Sequence, residues 1–243
     1  MSISSKRRGI MLRAELYKYF KNHLVSITLI MPIALVVCMI YLAPTLNYSD
    51  TSDKGILIYI VSRNFFYTIM APLYIIIICR IVGEMEQKNN NWTFLLSMPL
   101  KKNRIYFIKM FALTGMVLLH YLGYLMGILL VKVILNDFKI AFGSILLDLL
   151  VSFLCTFSII SFFYIFSLEK ISLIVYLGIG IIILLSGFLA SQSENLWVYC
   201  PSSYPSVVPS LSNGVNKYIF VGVALTIVFQ LIGFIRFWKR EWV

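Results

Sequence analysis

Long apolar stretches alternate with short polar ones along the whole chain. Each long stretch holds about 20 or more residues, enough for an α-helix to cross a hydrocarbon layer of roughly 30 Å. The stretches are continuously apolar, whereas strands of a membrane β-barrel alternate, and only a helix satisfies its own backbone hydrogen bonds in lipid. The pattern therefore predicts an all-α polytopic membrane protein with six transmembrane helices, at residues 24–46, 56–82, 105–135, 140–168, 171–190 and 218–238.

Composition strengthens this prediction and favours a single transmembrane domain over residues 1–243. Of the residues, 60% are hydrophobic and 13% are charged, whereas soluble proteins carry about 25% charged residues. The net charge of +11 does not indicate a nucleic-acid partner, because the basic residues flank the apolar stretches and share no polar face. The first apolar stretch is too long for a signal-peptide core, so we expect it to remain in the membrane.

Basic residues are distributed unevenly between the two sides of the predicted spans. Arg63 lies inside a span. Most of the other lysines and arginines lie in or beside four stretches: before the first span, between the second and third, between the fourth and fifth, and at the end of the chain. The opposite side holds only Lys54, Lys132, Lys139 and Lys217. Because basic loops stay in the cytoplasm, we expect both chain termini and the segment at 84–104 to be cytoplasmic.

Two polar stretches have further organisation. Residues 10–23 place apolar side chains on one helical face and charged ones on the other, which predicts an amphipathic elbow helix in the headgroup plane. A plain extension of the first span is the alternative. Residues 191–217 form the long loop on the outer side, and its prolines and aromatic residues predict a structured loop near the membrane surface.

Motifs for catalysis are absent from the chain. It has no phosphate-binding loop, no H-E-x-x-H motif and no cluster of cysteine and histidine with metal-ligand spacing. Its histidines, His23 and His120, are too far apart to act together locally. We therefore expect that the chain is not an enzyme and binds no metal or cofactor. Any work it performs would draw energy from a partner, an ion gradient or the membrane voltage.

Residues 84–104, between the second and third spans, form an amphipathic segment. Trp92, Leu95, Leu96 and Pro99 recur at the spacing of one helical face, and the asparagines before them can cap a helix. A cytoplasmic helix of about two turns with one apolar face buries that face in the headgroups or in a partner protein. Because this helix is joined to a span at each end, a force on it would move both spans.

This segment resembles the first cytoplasmic loop of type-2 (ABC-2) exporter permeases, in which a coupling helix docks on a separate ATPase subunit. The resemblance includes acidic residues before the helix and basic residues after it. It implies coupling roles for Glu84, Glu86, Trp92, Leu95, Leu96, Pro99 and Lys102. That family also has six spans, cytoplasmic termini, an elbow helix and a structured outer loop. Residues 90–93, Asn-Asn-Trp-Thr, stand where many members have a Gly-Thr pair. They are similar to the branch that protects bacteria against their own lantibiotics, as is the loop at 196–205.

The resemblance implies a permease subunit of an ATP-driven ABC transporter in the bacterial cytoplasmic membrane. The subunit would expel a lantibiotic-like antimicrobial peptide from the membrane to the outside and so provide self-immunity. ATP and Mg would bind to the partner ATPase, and a second permease subunit, a copy of this chain or a paralogue, would complete the assembly. Two alternatives stay open: an ABC-2 exporter of another lipid or drug cargo, and an ATP-independent secondary transporter or membrane interaction protein.

Ionisable residues inside the predicted spans are candidates for further chemistry. Arg63 and Asp148 each lie roughly 10–12 Å from the outer start of their span, where an isolated charge costs several kcal/mol. We predict an ion pair between them, within one subunit or across two; each reaching water alone is the alternative. His120 in the third span is expected to hydrogen-bond a neighbouring helix, and a proton-linked group along the cargo path is its alternative role. Gly123 and Gly127 predict a close helix approach.

Overall fold

The computed structural model describes residues 17, 19, 23–42, 54–87, 102–135, 140–169, 171–211 and 214–239. Six long helices account for most of them, and all six are long and apolar enough to cross a membrane. The prediction of an all-α protein with six spans is therefore confirmed. We number them α1 (Leu24–Leu42), α2 (Lys54–Phe65, Phe66–Met70 and Ala71–Gln87, continuous), α3 (Lys102–Ile134), α4 (Phe142–Leu168), α5 (Leu173–Ser191) and α6 (Val215–Lys239).

Two predicted helices lie wholly or mostly outside the described residues. The coupling segment is described only up to Gln87 and again from Lys102. Of the predicted elbow helix at 10–23, only Tyr17, Tyr19 and His23 are described. His23 has a φ of +55°, a left-handed conformation that does not continue an α-helix. α1 therefore begins after His23, where the backbone conformation is not helical.

The helices run in alternating directions, and one end of the bundle gathers basic side chains. We call it the basic end; it is formed by the helix ends at Gln87, Lys102, Leu168, Leu173 and Lys239. Side-chain contacts join these ends: Gln87 donates to the Ser167 carbonyl, and Arg236 lies 4.0 Å from Glu169. The other end of the bundle, which we call the opposite end, carries the loop between α5 and α6.

α2 contains one widened turn, at Phe66–Met70. There the backbone N–H of Ala71 donates to the carbonyl of Phe66, five residues earlier. Pro72 follows directly. A proline inside an α-helix lacks the N–H for the carbonyl four residues before it, and its ring presses on that carbonyl. Moving the preceding hydrogen bonds to the five-residue spacing of a π turn accommodates the ring, and the turn buries Phe66 and Met70 in the core.

The backbones of α1 and α3 approach closely where α3 carries glycine. A Cβ atom on Gly123 would lie 2.7 Å from the Leu29 carbonyl oxygen, and one on Gly127 would lie 3.0 Å from Cβ of Val36. The close approach predicted for these two glycines is confirmed. Gly115, earlier in the same helix, faces open space, since its Cβ would meet nothing within 4 Å.

The loop between α5 and α6 is structured and packs against the middle of α4. Short helical turns cover residues 196–210. Trp197, Tyr204 and Val208 form a second small core with Cys155 of α4, about 20 Å along that helix from its first residue. The Tyr204 hydroxyl donates to the Val198 carbonyl at 2.7 Å, and Trp197 Nε1 donates to Glu194 at 3.0 Å. The loop therefore reaches back along the bundle instead of lying across its end.

Candidate functional site

Three of the residues predicted to couple this chain to an ATPase, Glu84, Glu86 and Lys102, belong to helix ends at the basic end. Glu84 lies in the last turns of α2, and the backbone of Glu86 belongs to the same helix. Lys102 is the first residue of α3 and is exposed. The predicted docking face lies outside the described residues: Trp92, Leu95, Leu96 and Pro99. The end of α2 and the start of α3, which flank residues 88–101, thus lie at the same end of the bundle.

Glu84 makes an internal contact. Its Oε1 accepts a hydrogen bond from Arg80 Nε at 2.9 Å, one helical turn earlier. The guanidinium also donates from Nη1 to the carbonyl of Ile171 at 2.9 Å, and it lies 5.5 Å above the ring of Tyr176 on α5. Only 11% of the Arg80 side chain is exposed, so these partners replace most of its water. Glu84 therefore orients Arg80 toward the start of α5.

Gln87 makes a second contact between α2 and the turn that joins α4 to α5. Its Nε2 donates to the carbonyls of Ser167 at 3.2 Å and Glu169 at 2.9 Å. One turn earlier, Gly83 brings the backbones together, because a Cβ there would lie 2.5 Å from the Ser167 carbonyl oxygen. Sequence reasoning missed these contacts. The feature of the sequence that indicates these contacts is the spacing of Arg80, Gly83 and Gln87, which places a glycine and two polar side chains on one face at the end of an apolar span.

The two charges predicted to pair inside the membrane are brought together near the opposite end. Arg63 Nε lies 3.2 Å from Asp148 Oδ2, and the two side chains are 14% and 21% exposed. The Tyr59 hydroxyl donates to the same carboxylate oxygen at 2.8 Å. Asp148 on α4 thus has two partners on α2, one cationic and one neutral.

The ion pair is close, but its guanidinium is only partly satisfied. Nε and Nη2 of Arg63 are buried, and no hydrogen-bond acceptor is aligned with them among the described residues. The 3.2 Å contact to Asp148 is therefore mainly electrostatic. Beside it, the Ser62 hydroxyl lies 3.3 Å from the Tyr124 hydroxyl of α3, so polar groups of three helices meet at this depth.

His120 of α3 bonds to a backbone carbonyl of α1 whose identity its sequence position did not disclose. Pro32 lies inside α1, and a proline leaves the carbonyl four residues before it without an intrahelical donor. That carbonyl belongs to Thr28, and His120 Nδ1 lies 3.0 Å from its oxygen. A carbonyl only accepts, so Nδ1 carries the proton. The imidazole is fully buried and stacks 4.0 Å from the Tyr74 ring. The hydrogen bond to a neighbouring helix, one of the two roles predicted for His120, is present.

Replacing His120 with leucine should destabilise the bundle by about 1–3 kcal/mol, because the Thr28 carbonyl then has no donor in an environment without water. The cost should be smaller in a Pro32→Ala background, where residue 32 supplies an N–H to that carbonyl. Thermal unfolding of the four proteins of this cycle in lipid nanodiscs measures the difference. An equal cost of His120→Leu in both backgrounds would contradict the assignment.

Two clefts on the described surface lie between helices, and His120 does not line either of them. The larger, with a volume of about 320 Å³, lies between α4, α5 and α6 beneath the α5–α6 loop. Its lining is mainly apolar and includes Phe162, Phe163, Phe229 and Ile183, together with Ser186 and Cys200. Such a lining accommodates an apolar side chain or an acyl chain. A smaller cleft of about 220 Å³ lies between α2 and α5.

Comparison with known families agrees with this geometry. A family model described as "ABC-2 family transporter protein" matches residues 11–187, which include α1 to α4, most of α5 and the whole segment at 84–104. Comparisons with curated proteins and with solved structures found no match. Because the family model covers more than half of a six-helix chain whose basic end flanks the predicted coupling segment, the chain belongs to the ABC-2 transporter family.

Proposed function

We propose that this ABC-2 permease expels a lantibiotic-like antimicrobial peptide from the membrane to the outside and so protects a bacterium that meets the peptide. Family membership makes the chain a membrane transport component that works with an ABC ATPase. The observation that carries the finer proposal is the variant Asn-Asn-Trp-Thr at 90–93. It is similar to the immunity branch of the family, and the aromatic and proline-rich loop at 196–205 supports the same assignment.

In this proposal the basic end faces the cytoplasm of the cell. Its cations, among them Lys102, Arg104, Arg236 and Lys239, belong on the side where positively charged loops are retained. Both termini and the segment at 84–104 are then cytoplasmic, and the α5–α6 loop lies on the outer side. ATP and Mg bind to the partner ATPase. Closure of the ATPase subunits then moves the coupling segment and, through it, the spans.

A second permease subunit, a copy or a paralogue, completes the proposed assembly. We place this second subunit against α5 and α6, whose apolar windows have the lowest buried share of the six helices, 22% and 11%. The cargo is amphipathic in the proposal, and the apolar cleft between α4, α5 and α6 could accept its apolar side chains.

Growth inhibition by a panel of peptides tests the cargo assignment. Two strains of sensitive cells are compared. One carries the permease with its ATPase and second permease, and the other carries the same proteins with an ATPase inactivated by replacement of its Walker-motif lysine. We expect the active complex to raise the inhibitory concentration of one or more lantibiotics but not of a non-lantibiotic cationic peptide. Equal sensitivity to all lantibiotics in both strains, with resistance to a lipid-like or drug-like toxin, would instead assign the other ABC-2 cargo class.

A further inference from the structure

We propose that Arg80, Gly83 and Gln87 form a joint through which movement of the coupling segment reaches α4 and α5. The inference rests on the proposed function, since it assumes that an ATPase pushes on residues 88–101. It adds a path for the movement inside the permease: α2 at the basic end and the turn between α4 and α5 move as one rigid unit. We call these three residues the α2 joint.

The first element of the joint is the capping of α4 by a side chain of α2. The last carbonyls of a helix have no intrahelical donor and need an external partner. Gln87 Nε2 donates to two carbonyls at this end, those of Ser167 and Glu169. One amide therefore holds both the last turn of α4 and the residue that follows it.

The second element holds the beginning of α5. Arg80 donates to the carbonyl of Ile171 at 2.9 Å, in the short connection just before α5, and its guanidinium lies over the Tyr176 ring of α5. A positively charged donor makes a stronger hydrogen bond than a neutral one. Glu84 fixes the orientation of Arg80 from one turn away, so the bond to Ile171 does not depend on a freely rotating side chain.

The third element is a close backbone contact. The distance of 2.5 Å that a Cβ on Gly83 would have from the Ser167 oxygen is shorter than van der Waals contact allows, so only glycine permits this approach. Positions 80, 83 and 87 follow the spacing i, i+3, i+7 and share one face of α2. All three contact the stretch between Ser167 and Tyr176.

Together these contacts make the joint a route for force. Residues 88–101 of the coupling segment follow Gln87 directly in the chain, so a displacement applied to them acts on the end of α2. Two hydrogen-bonding side chains and a backbone contact tie that end to the α4–α5 turn. At the other end of the segment, the first residues of α3, Lys102 and Asn103, are exposed. Further along α3, the Tyr106 carbonyl accepts from the Tyr164 hydroxyl of α4, and the Tyr106 hydroxyl donates to Gln230 of α6. Among the described residues, the hydrogen bond to the connection just before α5 comes from Arg80 of α2.

Spin labels measure this transmission in the complete complex with its ATPase. In a Cys38→Ser/Cys200→Ser background, labels at Asn103→Cys and Leu173→Cys report the distance between α3 and the start of α5; both positions are exposed. We expect this distance to shift between the nucleotide-free and ATP–vanadate-trapped states. Gly83→Ala should lose most of the shift, and Gly115→Ala, whose Cβ meets nothing, should keep it.

Gln87→Leu is the second joint variant, because it removes two donors without adding bulk at the backbone contact. ATPase co-purification and ATP hydrolysis are measured on every sample. The inference is supported if either joint variant loses most of the shift while its ATPase stays bound and active. It is overturned if the unmodified complex shows no shift, or if folded joint variants with bound ATPase keep the full shift. Absence of any bound ATPase in the unmodified complex would instead overturn the proposed function.

Discussion

Arg63→Ala should lower the free energy of unfolding by about 3 kcal/mol, because it leaves the Asp148 carboxylate largely buried without its cation. Asp148→Leu should cost a similar amount for the opposite reason, since the Arg63 guanidinium then lies among apolar groups. Tyr59→Phe is the matched control: it removes one neutral donor to the same carboxylate and should cost about 1 kcal/mol. Thermal unfolding in nanodiscs measures all three.

Exchanging the two charges tests the pairing itself. Arg63→Asp combined with Asp148→Arg restores opposite charges at the two positions, and the Tyr59 oxygen can accept from the relocated guanidinium. The double variant should therefore be more stable than either single change. If it melts no higher than the less stable single variant, Arg63 and Asp148 do not stabilise each other, and their distance of 3.2 Å has no energetic consequence.

Trp92→Ala should abolish peptide resistance while leaving the permease folded and inserted. In the proposed assembly Trp92 is the largest apolar side chain on the docking face, and truncating such an anchor costs about 2 kcal/mol or more in binding, roughly a 30-fold loss of affinity. Growth in the presence of the recognised peptide, together with ATPase co-purification, measures the effect.

Trp238→Ala is the matched control for this experiment. Trp238 lies near the same end of the bundle on α6 and is 60% exposed, but it is not part of the segment at 84–104. Its replacement should leave resistance close to that of the unmodified complex. Full ATP-dependent resistance in the Trp92→Ala strain would remove the tryptophan from the coupling surface.

The helices could be predicted because lipid imposes a simple rule on sequence. Outside β-barrels, a span must be a helix that is apolar over most of its length, and the six predicted stretches agree closely with the six observed helices. The pairing of Arg63 with Asp148 was also accessible, since both charges lie at a similar distance from the opposite end and an unpaired charge is costly there. In these cases one physical cost dominates and leaves few arrangements.

Other features depend on which side chains meet, and sequence spacing alone does not supply that. The partner of His120 could not be predicted because it is a backbone carbonyl on a different helix. Pro32 leaves this Thr28 carbonyl without its usual donor. The α2 joint was hidden for the same reason: Gln87 and Arg80 bond to carbonyls, which every residue carries. Glu84 was assigned by resemblance to the ATPase contact, and its bond to Arg80 adds an internal role that the motif did not contain.

The central claim is that ATP hydrolysis on a partner acts on this bundle through the segment at 84–104. Site-specific photo-crosslinking in intact cells tests it most directly, with a photoreactive residue at Leu95 or, as the control, at Tyr199, which is 84% exposed on the α5–α6 loop. The proposal predicts that position 95 crosslinks to a protein identified by mass spectrometry as a Walker-motif ATPase and that position 199 does not. An ATPase crosslinked at position 199, or none at position 95 in a nucleotide-loaded complex, would contradict it.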